Sequence, residues 1–259
     1  MITSELIKNR INNFWGYGNL KSPVWFIGIE ERFDDKKHDI KILEKQLLYS
    51  DKYMKNGMVN ASRSNLSKWR HLPNMEPFLP NAELQKTWRL PISLYLYLKN
   101  NIRPDNNNIL SFQRDILSDG DMNEAATLEL SSLPAFSVKD WSFYNKYDIP
   151  ELKSRNIYQK HYLSKRAESL KKLVDIYKPK LVIFYSSNKN THLPRWTEIV
   201  GERLCIASDK NNRLPMYFNK NKNTSFCVIP QPAAGVSYDE LYKYADRIKS
   251  KINLKNKIR

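Results

Sequence analysis

Two adjacent acidic residues, Glu30 and Glu31, directly follow the short apolar run at residues 24–29. Unbroken apolarity over so few residues is typical of a strand that is buried on both faces. Gly28, near the end of that run, lets the backbone turn sharply and lets a ligand approach closely. A carboxylate at this point can align a water molecule and stabilise an oxocarbenium-like sugar, as in glycoside hydrolysis. Glutamate is also favoured at the N-terminus of a helix, so a purely structural role stays open.

Polar or constrained residues follow two further predicted strands. The apolar run at residues 126–130 predicts a strand that stops at Ser131 and Ser132. After a strand predicted at residues 225–229, two prolines flank Gln231 and fix the direction of its side chain. That amide can donate a hydrogen bond to a base carbonyl or anchor a phosphate. An ordinary strand-to-helix loop explains the same residues equally well.

The elements that must position these residues alternate between helix and strand. Hydrophobic periodicity and capping signals predict further strands at residues 181–185 and near Leu204, and helices at residues 4–15, 38–50, 86–100, 164–177, 193–200 and 237–252. Such alternation predicts a three-layer α/β/α sandwich around a central, mainly parallel four-stranded sheet. Ligands of parallel sheets bind at the carboxyl ends of the strands, where we expect all three polar segments to lie.

The chain length of 259 residues fits one large domain, and we interpret residues 1–259 in that way. Residues 51–85 are polar and proline-containing, which predicts an irregular insertion, and residues 253–259 form a basic C-terminal tail. The N-terminus lacks the apolar core of a signal peptide, and no stretch is apolar enough to span a bilayer. We therefore expect a cytoplasmic protein with no membrane association.

The chain carries a formal net charge of +16, from 43 Lys and Arg against 27 Asp and Glu. A large basic excess favours polyanionic partners, because each neutralised phosphate releases condensed counterions. A lysine-rich composition can also reflect an AT-rich genome. The charge indicates DNA as the partner, and no feature of the sequence calls for an obligatory protein partner.

Cysteines and histidines give no sign of a metal site. Cys205 and Cys227 form no Cys-x-x-Cys pair, which argues against an iron–sulfur cluster or a thiolate zinc site. The four histidines are scattered without the spacing of metal ligands. No metal or organic cofactor is therefore expected.

Taken together, the three segments resemble the uracil-DNA glycosylase superfamily, whose fold is a four-stranded parallel sheet between helices. The first family motif, Gly-x-Asp/Asn-Pro or a relative of it, corresponds to Gly28-Ile29-Glu30-Glu31. Ser131 stands where the family places the asparagine that selects the pyrimidine. The family motif His-Pro-Ser and the loop that wedges into the duplex correspond to Gln231, Pro232, Ala233, Ala234 and Gly235. The resemblance spans roughly residues 14–252 in element order.

The resemblance implies a monofunctional DNA glycosylase that flips its target base out of the duplex, with water as the nucleophile. It implies that Glu30, with Glu31 as a substitute, positions the water and that Gln231 binds the departing base. The residues implied to surround the base are Gly28, Ile29, Phe33, Glu129, Ser131 and Ser132. Phe33 would stack on the base, although a core aromatic fits that position as well. On the last helix, Lys243 and Arg247 suit phosphate contacts or a solvated face.

The departures from the family motifs change the expected substrate. Glu30 replaces Asp or Asn, Gln231 replaces His, and Ser131 replaces the asparagine that selects uracil. Glu129 lies two residues before Ser131, so both share a strand face, and a carboxylate suits the amino group of cytosine. Small side chains leave room for a substituent. We therefore expect a modified cytosine rather than uracil, in DNA repair or in antiviral defence, since related glycosylases attack hypermodified phage DNA.

Two other readings of the sequence stay open. The departures from the family motifs fit a non-catalytic DNA-binding member of the same fold, although an acidic pair gives a phosphate binder no advantage. A different α/β hydrolytic enzyme that acts on nucleotides is the second alternative. The sequence lacks the glycine-rich loop of the P-loop type, which argues against use of a nucleoside triphosphate.

Overall fold

A computed structural model gives the structure of residues 2–32, 40–60, 78–117, 119–135, 141–188, 190–206, 215–231 and 235–249. The strands are β1 (Gly16–Tyr17), β2 (Val24–Arg32), β3 (Met58–Val59), β4 (Ala125–Ala135), β5 (Leu181–Tyr185), β6 (Cys205–Ile206), β7 (Tyr217–Lys220) and β8 (Ser225–Ile229). The α-helices are α1 (Ser4–Asn13), α2 (Ile40–Tyr53), α3 (Lys86–Asn100), α4 (Asn106–Asp115), α5 (Ser142–Asn145), α6 (Arg155–Tyr177), α7 (Leu193–Val200) and α8 (Tyr238–Lys249). A 3-10 turn spans Pro150–Leu152.

The strands form one mixed, mostly parallel sheet in the order β3-β1-β4-β2-β5-β8-β7-β6. The four central strands β4, β2, β5 and β8 are mutually parallel. Antiparallel pairing begins on either side of them, between β1 and β4 and between β7 and β8. The prediction of a four-stranded sheet is therefore wrong in number, because the described residues form eight strands. The three two-residue strands are too short to show an alternating or continuous apolar pattern, and two of them lie at the outer edges.

Both faces of the central strands are covered by helices. Val24 and Phe26 of β2 belong to one apolar cluster, which includes side chains of α3, α4 and α8. Trp25 and Ile27 belong to a second cluster on the opposite face, which includes side chains of α6 and α7. Each of these four side chains is fully buried, which explains why the strand is apolar at every position rather than at alternate ones.

Several predicted boundaries are corrected by the structure. Strand β4 does not stop before Ser131 but continues to Ala135, and all eleven of its residues are buried. Helix α6 begins at Arg155 rather than near residue 164, because the Ser154 side chain caps it by accepting from the backbone N–H of Ile157. Helix α4 was not predicted.

The segment at residues 51–85 is not irregular throughout. Its first residues complete α2, and Met58–Val59 forms a strand. Residues 61–77 and the predicted tail at 253–259 lie outside the described residues. In the described part of the chain, no helix has both the length and the apolar character needed to cross a membrane.

Candidate functional site

Glu30, Glu31 and Glu129 come together at the carboxyl edge of the central sheet. The register between β2 and β4 sets Gly28 beside Glu129 and Glu30 beside Ser131. Because side chains two residues apart in a strand share a face, Gly28, Glu30, Glu129 and Ser131 belong to one face of this edge. The structure therefore places the first two predicted segments next to each other, at the edge where parallel sheets bind ligands.

Glu31 is held by two neighbours and serves the fold. A buried guanidinium nitrogen of Arg10, Nη2, lies 3.0 Å from Glu31 Oε2. The Tyr17 hydroxyl donates to Glu31 Oε1 at 2.5 Å. Arg10 also donates from Nε to the backbone carbonyl of Ser132 at 2.8 Å and so ties α1 to β4. With an ion pair on one oxygen and a hydrogen bond on the other, Glu31 does not suit the task of aligning water.

Glu30 is the more accessible of the two adjacent glutamates, with 17 % of its side chain exposed against 10 % for Glu31. Arg155, the first residue of α6, donates from Nη2 to Glu30 Oε1. Burial raises the pKa of Glu30, and the charge and hydrogen bond of Arg155 oppose that rise. The arginine thus favours the carboxylate form that a water-aligning group requires.

Glu129 has a different environment from the other two acids. The residue is only 8 % exposed, and its Oε2 has no hydrogen-bond partner of regular geometry among the described residues. Burial raises the pKa of Glu129 well above its usual range, the charges of Glu31 and Glu30 raise it further, and Tyr185 and Arg166 partly oppose them. The surroundings of Glu129 therefore favour the protonated, neutral form of its carboxyl.

The Arg166 guanidinium does not neutralise Glu129, because backbone carbonyls occupy it. Its Nη2 donates to the carbonyl of Glu129 at 2.9 Å, and its Nε donates to the carbonyl of Leu130 at 3.1 Å. Burial lowers the pKa of Arg166 to about 10, which still leaves it charged at neutral pH. Arg166 therefore anchors α6 to the backbone of β4.

Gly28 makes room for contact between the two strands that flank it. A Cβ atom at this position would lie 2.6 Å from Oε2 of Glu129 and would overlap the hydroxyl of Tyr185. Since Glu129 belongs to β4 and Tyr185 to β5, the two side chains meet across β2. The glycine is required here for the space that these two side chains occupy, which is a different role from the predicted close approach of a ligand.

Aromatic side chains adjoin the Glu129 carboxyl. The Tyr185 hydroxyl interacts with Glu129 on one side and with the Trp88 indole N–H on the other. The Trp88 ring stacks on Phe78 with centroids 5.3 Å apart, and Phe78 lies 6.5 Å from the ring of Tyr17. Phe78 and Tyr17 are buried and Trp88 is partly buried, so these rings form apolar packing beside the Tyr185 hydroxyl.

His192 lies near the same edge and was not singled out by the sequence. Its Nδ1 is 2.7 Å from Oγ of Ser186, the residue that follows β5. The backbone carbonyl of Ser186 accepts from Nε1 of Trp196 at 2.7 Å, which fixes the turn into α7. Burial lowers the pKa of His192 to about 4, and the charge of Arg155 contributes to that shift. The imidazole is therefore neutral at physiological pH.

Two signals in the sequence point to this group. Ser186 and Ser187 follow a strong apolar strand, so the strand-end rule that selected Gly28 applies to them also. His192 directly precedes α7 and lies two residues before Pro194. Arg155 gave no signal, because the start of α6 was placed about nine residues too late.

The two predicted base-reading serines are buried and face Tyr158. Ser131 is 2 % exposed and Ser132 is 1 % exposed. The Tyr158 hydroxyl lies 3.3 Å from the Oγ of each of them. Ser131 Oγ also donates to the backbone carbonyl of Leu133 at 3.3 Å. Ile29 is partly buried and packs against the cluster on the second face of the sheet.

The third predicted segment is described only in part. Gln231 is exposed and follows β8 at the same sheet edge. Gly235 has a φ of +78°, and no atom lies within 4 Å of the position that a Cβ would take. Lys243 and Arg247 are exposed on α8. The predicted residues Phe33, Pro232, Ala233 and Ala234 lie outside the described residues.

No protein-family model matches the chain, and a comparison with curated proteins finds no match. Within the described ranges, no three or more His, Cys, Asp or Glu side chains are grouped so as to hold a metal ion. The chemistry of the site must accordingly be argued from its own residues.

Proposed function

We propose that the chain is a DNA glycosylase that hydrolyses the N-glycosidic bond of a flipped, modified pyrimidine and leaves an abasic site. The observation that carries the proposal is the contrast between Glu30 and Glu129 at one sheet edge. Glu30 is paired with Arg155, and Glu129 is buried without a cation on its carboxyl among the described residues. Two acids in unlike surroundings, one paired with a cation and one not, are the arrangement with which glycoside hydrolysis divides the roles of base and acid.

The reaction assigns one task to each acid. The Glu30 carboxylate aligns a water molecule and accepts its proton as the water oxygen bonds to C1′ of the deoxyribose. The bond between C1′ and the base nitrogen breaks, and its electron pair leaves with the base. Negative charge that develops on the departing base is stabilised by a hydrogen-bond donor, which the neutral carboxyl of Glu129 supplies.

The surroundings of the site support a nucleic-acid substrate. The net charge of +16 favours a polyanion over a neutral sugar. The partly buried ring of Trp88, which approaches Tyr185 beside the acidic group, is the surface that we assign to a base that has left the stack. Arg155 stands at the rim of the acidic group and suits a phosphate of the target nucleotide, which would free Glu30 for water.

The proposal is tested by release of bases from defined duplexes. Duplexes would carry uracil, a thymine mismatch, 5-hydroxymethylcytosine or glucosylated 5-hydroxymethylcytosine, and hot alkali would cleave any abasic site formed. We expect cleavage at a modified cytosine by the wild type and by Glu168→Gln, a surface variant on α6, but not by Glu30→Gln. Because Glu168 is 67 % exposed, its variant controls for the loss of one charge.

One outcome would contradict the proposed glycosylase activity. Binding of these duplexes that weakens with salt, without cleavage at any base, would indicate a non-catalytic DNA-binding protein. The ion pair of Glu30 with Arg155 would then be structural, as the pair of Glu31 with Arg10 is.

A further inference from the structure

The three acids at the sheet edge differ in their partners. Arg10 pairs with Glu31, and Arg155 pairs with Glu30. Glu129 is the most buried of them, yet its Oε2 is without a regular hydrogen bond among the described residues. A buried polar atom without a partner costs free energy, because it has lost its hydrogen bonds to water. Such an atom at a ligand-binding edge indicates that a ligand supplies the missing partner.

The neighbours of Glu129 determine which hydrogen-bonding pattern it presents. The indole N–H of Trp88 can only donate, so the Tyr185 oxygen that it approaches must accept. The hydroxyl proton of Tyr185 is then free to point to Glu129 across Gly28. One carboxyl oxygen of Glu129 thus acts as an acceptor for Tyr185, and the proton of the acid is left for a ligand.

The charged and titratable groups that face Glu129 keep this pattern in place. Glu30 and Glu31 of β2 disfavour a negative charge on it, Tyr185 of β5 donates to it, and Arg166 of α6 is bound to backbone carbonyls. Oε2 of Glu129 makes no regular hydrogen bond to Glu30 or Glu31 among the described residues, and both of those glutamates are paired with arginines.

We infer that Glu129 reads the flipped base as a neutral carboxylic acid that donates a hydrogen bond to an acceptor ring nitrogen, the N3 atom of a cytosine. This inference rests on the proposed function and names its substrate class. Uracil and thymine carry N3–H, so their donor would meet the donor of Glu129. A cytosine with a substituent at C5 retains the acceptor at N3, since C5 lies on another part of the ring.

The inference makes glutamine an adequate substitute at position 129. An amide carbonyl accepts from Tyr185, and an amide N–H donates to N3, so Glu129→Gln preserves the pattern. Methionine has a similar length and no donor, so Glu129→Met removes the contact. Loss of the single hydrogen bond to N3 is expected to slow excision roughly 10- to 100-fold, which corresponds to about 1.4–2.7 kcal/mol.

Binding of nucleosides tests the inference independently of catalysis. The probe is the side-chain carboxyl carbon of Glu129 in ¹³C-glutamate-labelled protein, followed by NMR during addition of 5-hydroxymethyl-2′-deoxycytidine. We expect a saturable shift of this resonance, and none with 2′-deoxyuridine or with the 3-deaza analogue, in which C–H replaces N3. An equal shift with the 3-deaza analogue, or no shift with any nucleoside at saturating concentration, overturns the inference.

Excision by the variants separates the inference from the proposed function. We expect Glu129→Gln to retain excision of the modified cytosine within about tenfold, and Glu129→Met to lose roughly 10- to 100-fold with an unchanged melting temperature. If wild type excises the base and Glu129→Gln is as inactive as Glu129→Met, the inferred hydrogen bond from Glu129 to N3 is wrong, while the proposed glycosylase activity is retained. If wild type excises no base, the proposed glycosylase activity is wrong, and the nucleoside titration alone tests whether Glu129 binds N3 of a cytosine.

Discussion

The carboxyl of Glu129 and the hydroxyl of Tyr185 meet over Gly28, across a strand to which neither residue belongs. Strands β4 and β5 flank β2, and their side chains on this face touch because the position between them has no side chain. The hydrogen-bonding pattern of Glu129 thus depends on a residue with no functional group of its own.

Replacement of Gly28 by alanine tests this dependence. The added methyl group would overlap Tyr185 and approach Oε2 of Glu129 to 2.6 Å, so we expect a loss of about 1–3 kcal/mol in the free energy of unfolding. Urea denaturation measures it. The double variant with Tyr185→Phe lacks the nearest atom and should recover part of the loss. An alanine variant as stable as wild type would show that the two side chains do not meet there.

The protonation of Glu129 predicts how stability changes with pH. Burial raises the pKa of Glu129 in the folded protein above its usual value of 4.5, so the folded protein holds a proton that the unfolded chain releases as pH rises. Wild type should therefore lose stability relative to Glu129→Gln as pH rises above 4.5, by up to about 1.4 kcal/mol per pH unit until the folded group titrates. Denaturation of both proteins from pH 4 to pH 8 measures the difference. A constant difference would mean that Glu129 is ionised when folded.

The buried ion pair of Arg10 with Glu31 predicts an asymmetric cost. Arg10→Met leaves a carboxylate without its cation and also removes the hydrogen bond to the carbonyl of Ser132, so we expect a loss of about 3–5 kcal/mol. Adding Glu31→Leu removes the stranded charge and should restore a large part of that loss. Thermal or chemical denaturation of the single and double variants gives both values. If the loss of stability in the double variant equals the sum of the losses in the two single variants, Arg10 and Glu31 do not stabilise each other.

His192 should stay neutral well below the usual range of histidine. Burial, with a contribution from Arg155, lowers its pKa from 6.5 to about 4. The unfolded chain therefore takes up a proton before the folded protein does, and wild type loses stability relative to His192→Gln as pH falls from 6.5 to about 4. The ¹⁵N shifts of the imidazole report its protonation directly. An imidazole that titrates near pH 6.5 would place His192 in solvent rather than beside Ser186.

Much of the central sheet could be predicted from the sequence, because strands buried on both faces are continuous apolar runs. Residues 181–185 and 225–229 match β5 and β8 to the residue. The two-residue strands β1 and β3 could not be found, since two residues such as Gly16–Tyr17 carry no periodic pattern, whereas a short strand was predicted near Leu204, beside β6. Ser131 to Pro134 resembled a turn by composition, yet pairing with β2 and burial keep them in β4.

The position of the candidate site could be predicted from the sequence, but the contacts among its side chains could not. Placing Gly28, Glu30 and Glu129 at one edge followed from strand order and strand ends. The partners that distinguish the acids, Arg10 and Arg155, come from helices whose contacts with β2 span 21 and 125 residues of sequence. Long-range pairs of this kind leave no local pattern, so the structural role of Glu31 and the accessibility of Glu30 could be told apart only in the folded chain.

The rate of base release by Glu30→Gln under single-turnover conditions tests the central claim most directly. Wild type, Glu30→Gln and the surface control Glu168→Gln would be compared on a duplex with 5-hydroxymethylcytosine or its glucosylated form, with DNA binding and melting temperature measured alongside. We predict that Glu30→Gln stays folded, with a lower melting temperature from loss of the pair with Arg155, and still binds the duplex but releases the base at least about a hundredfold more slowly, as expected for loss of a general base. Equal rates of release by all three proteins, or no release by wild type, would contradict the assignment of Glu30 as the residue that activates water.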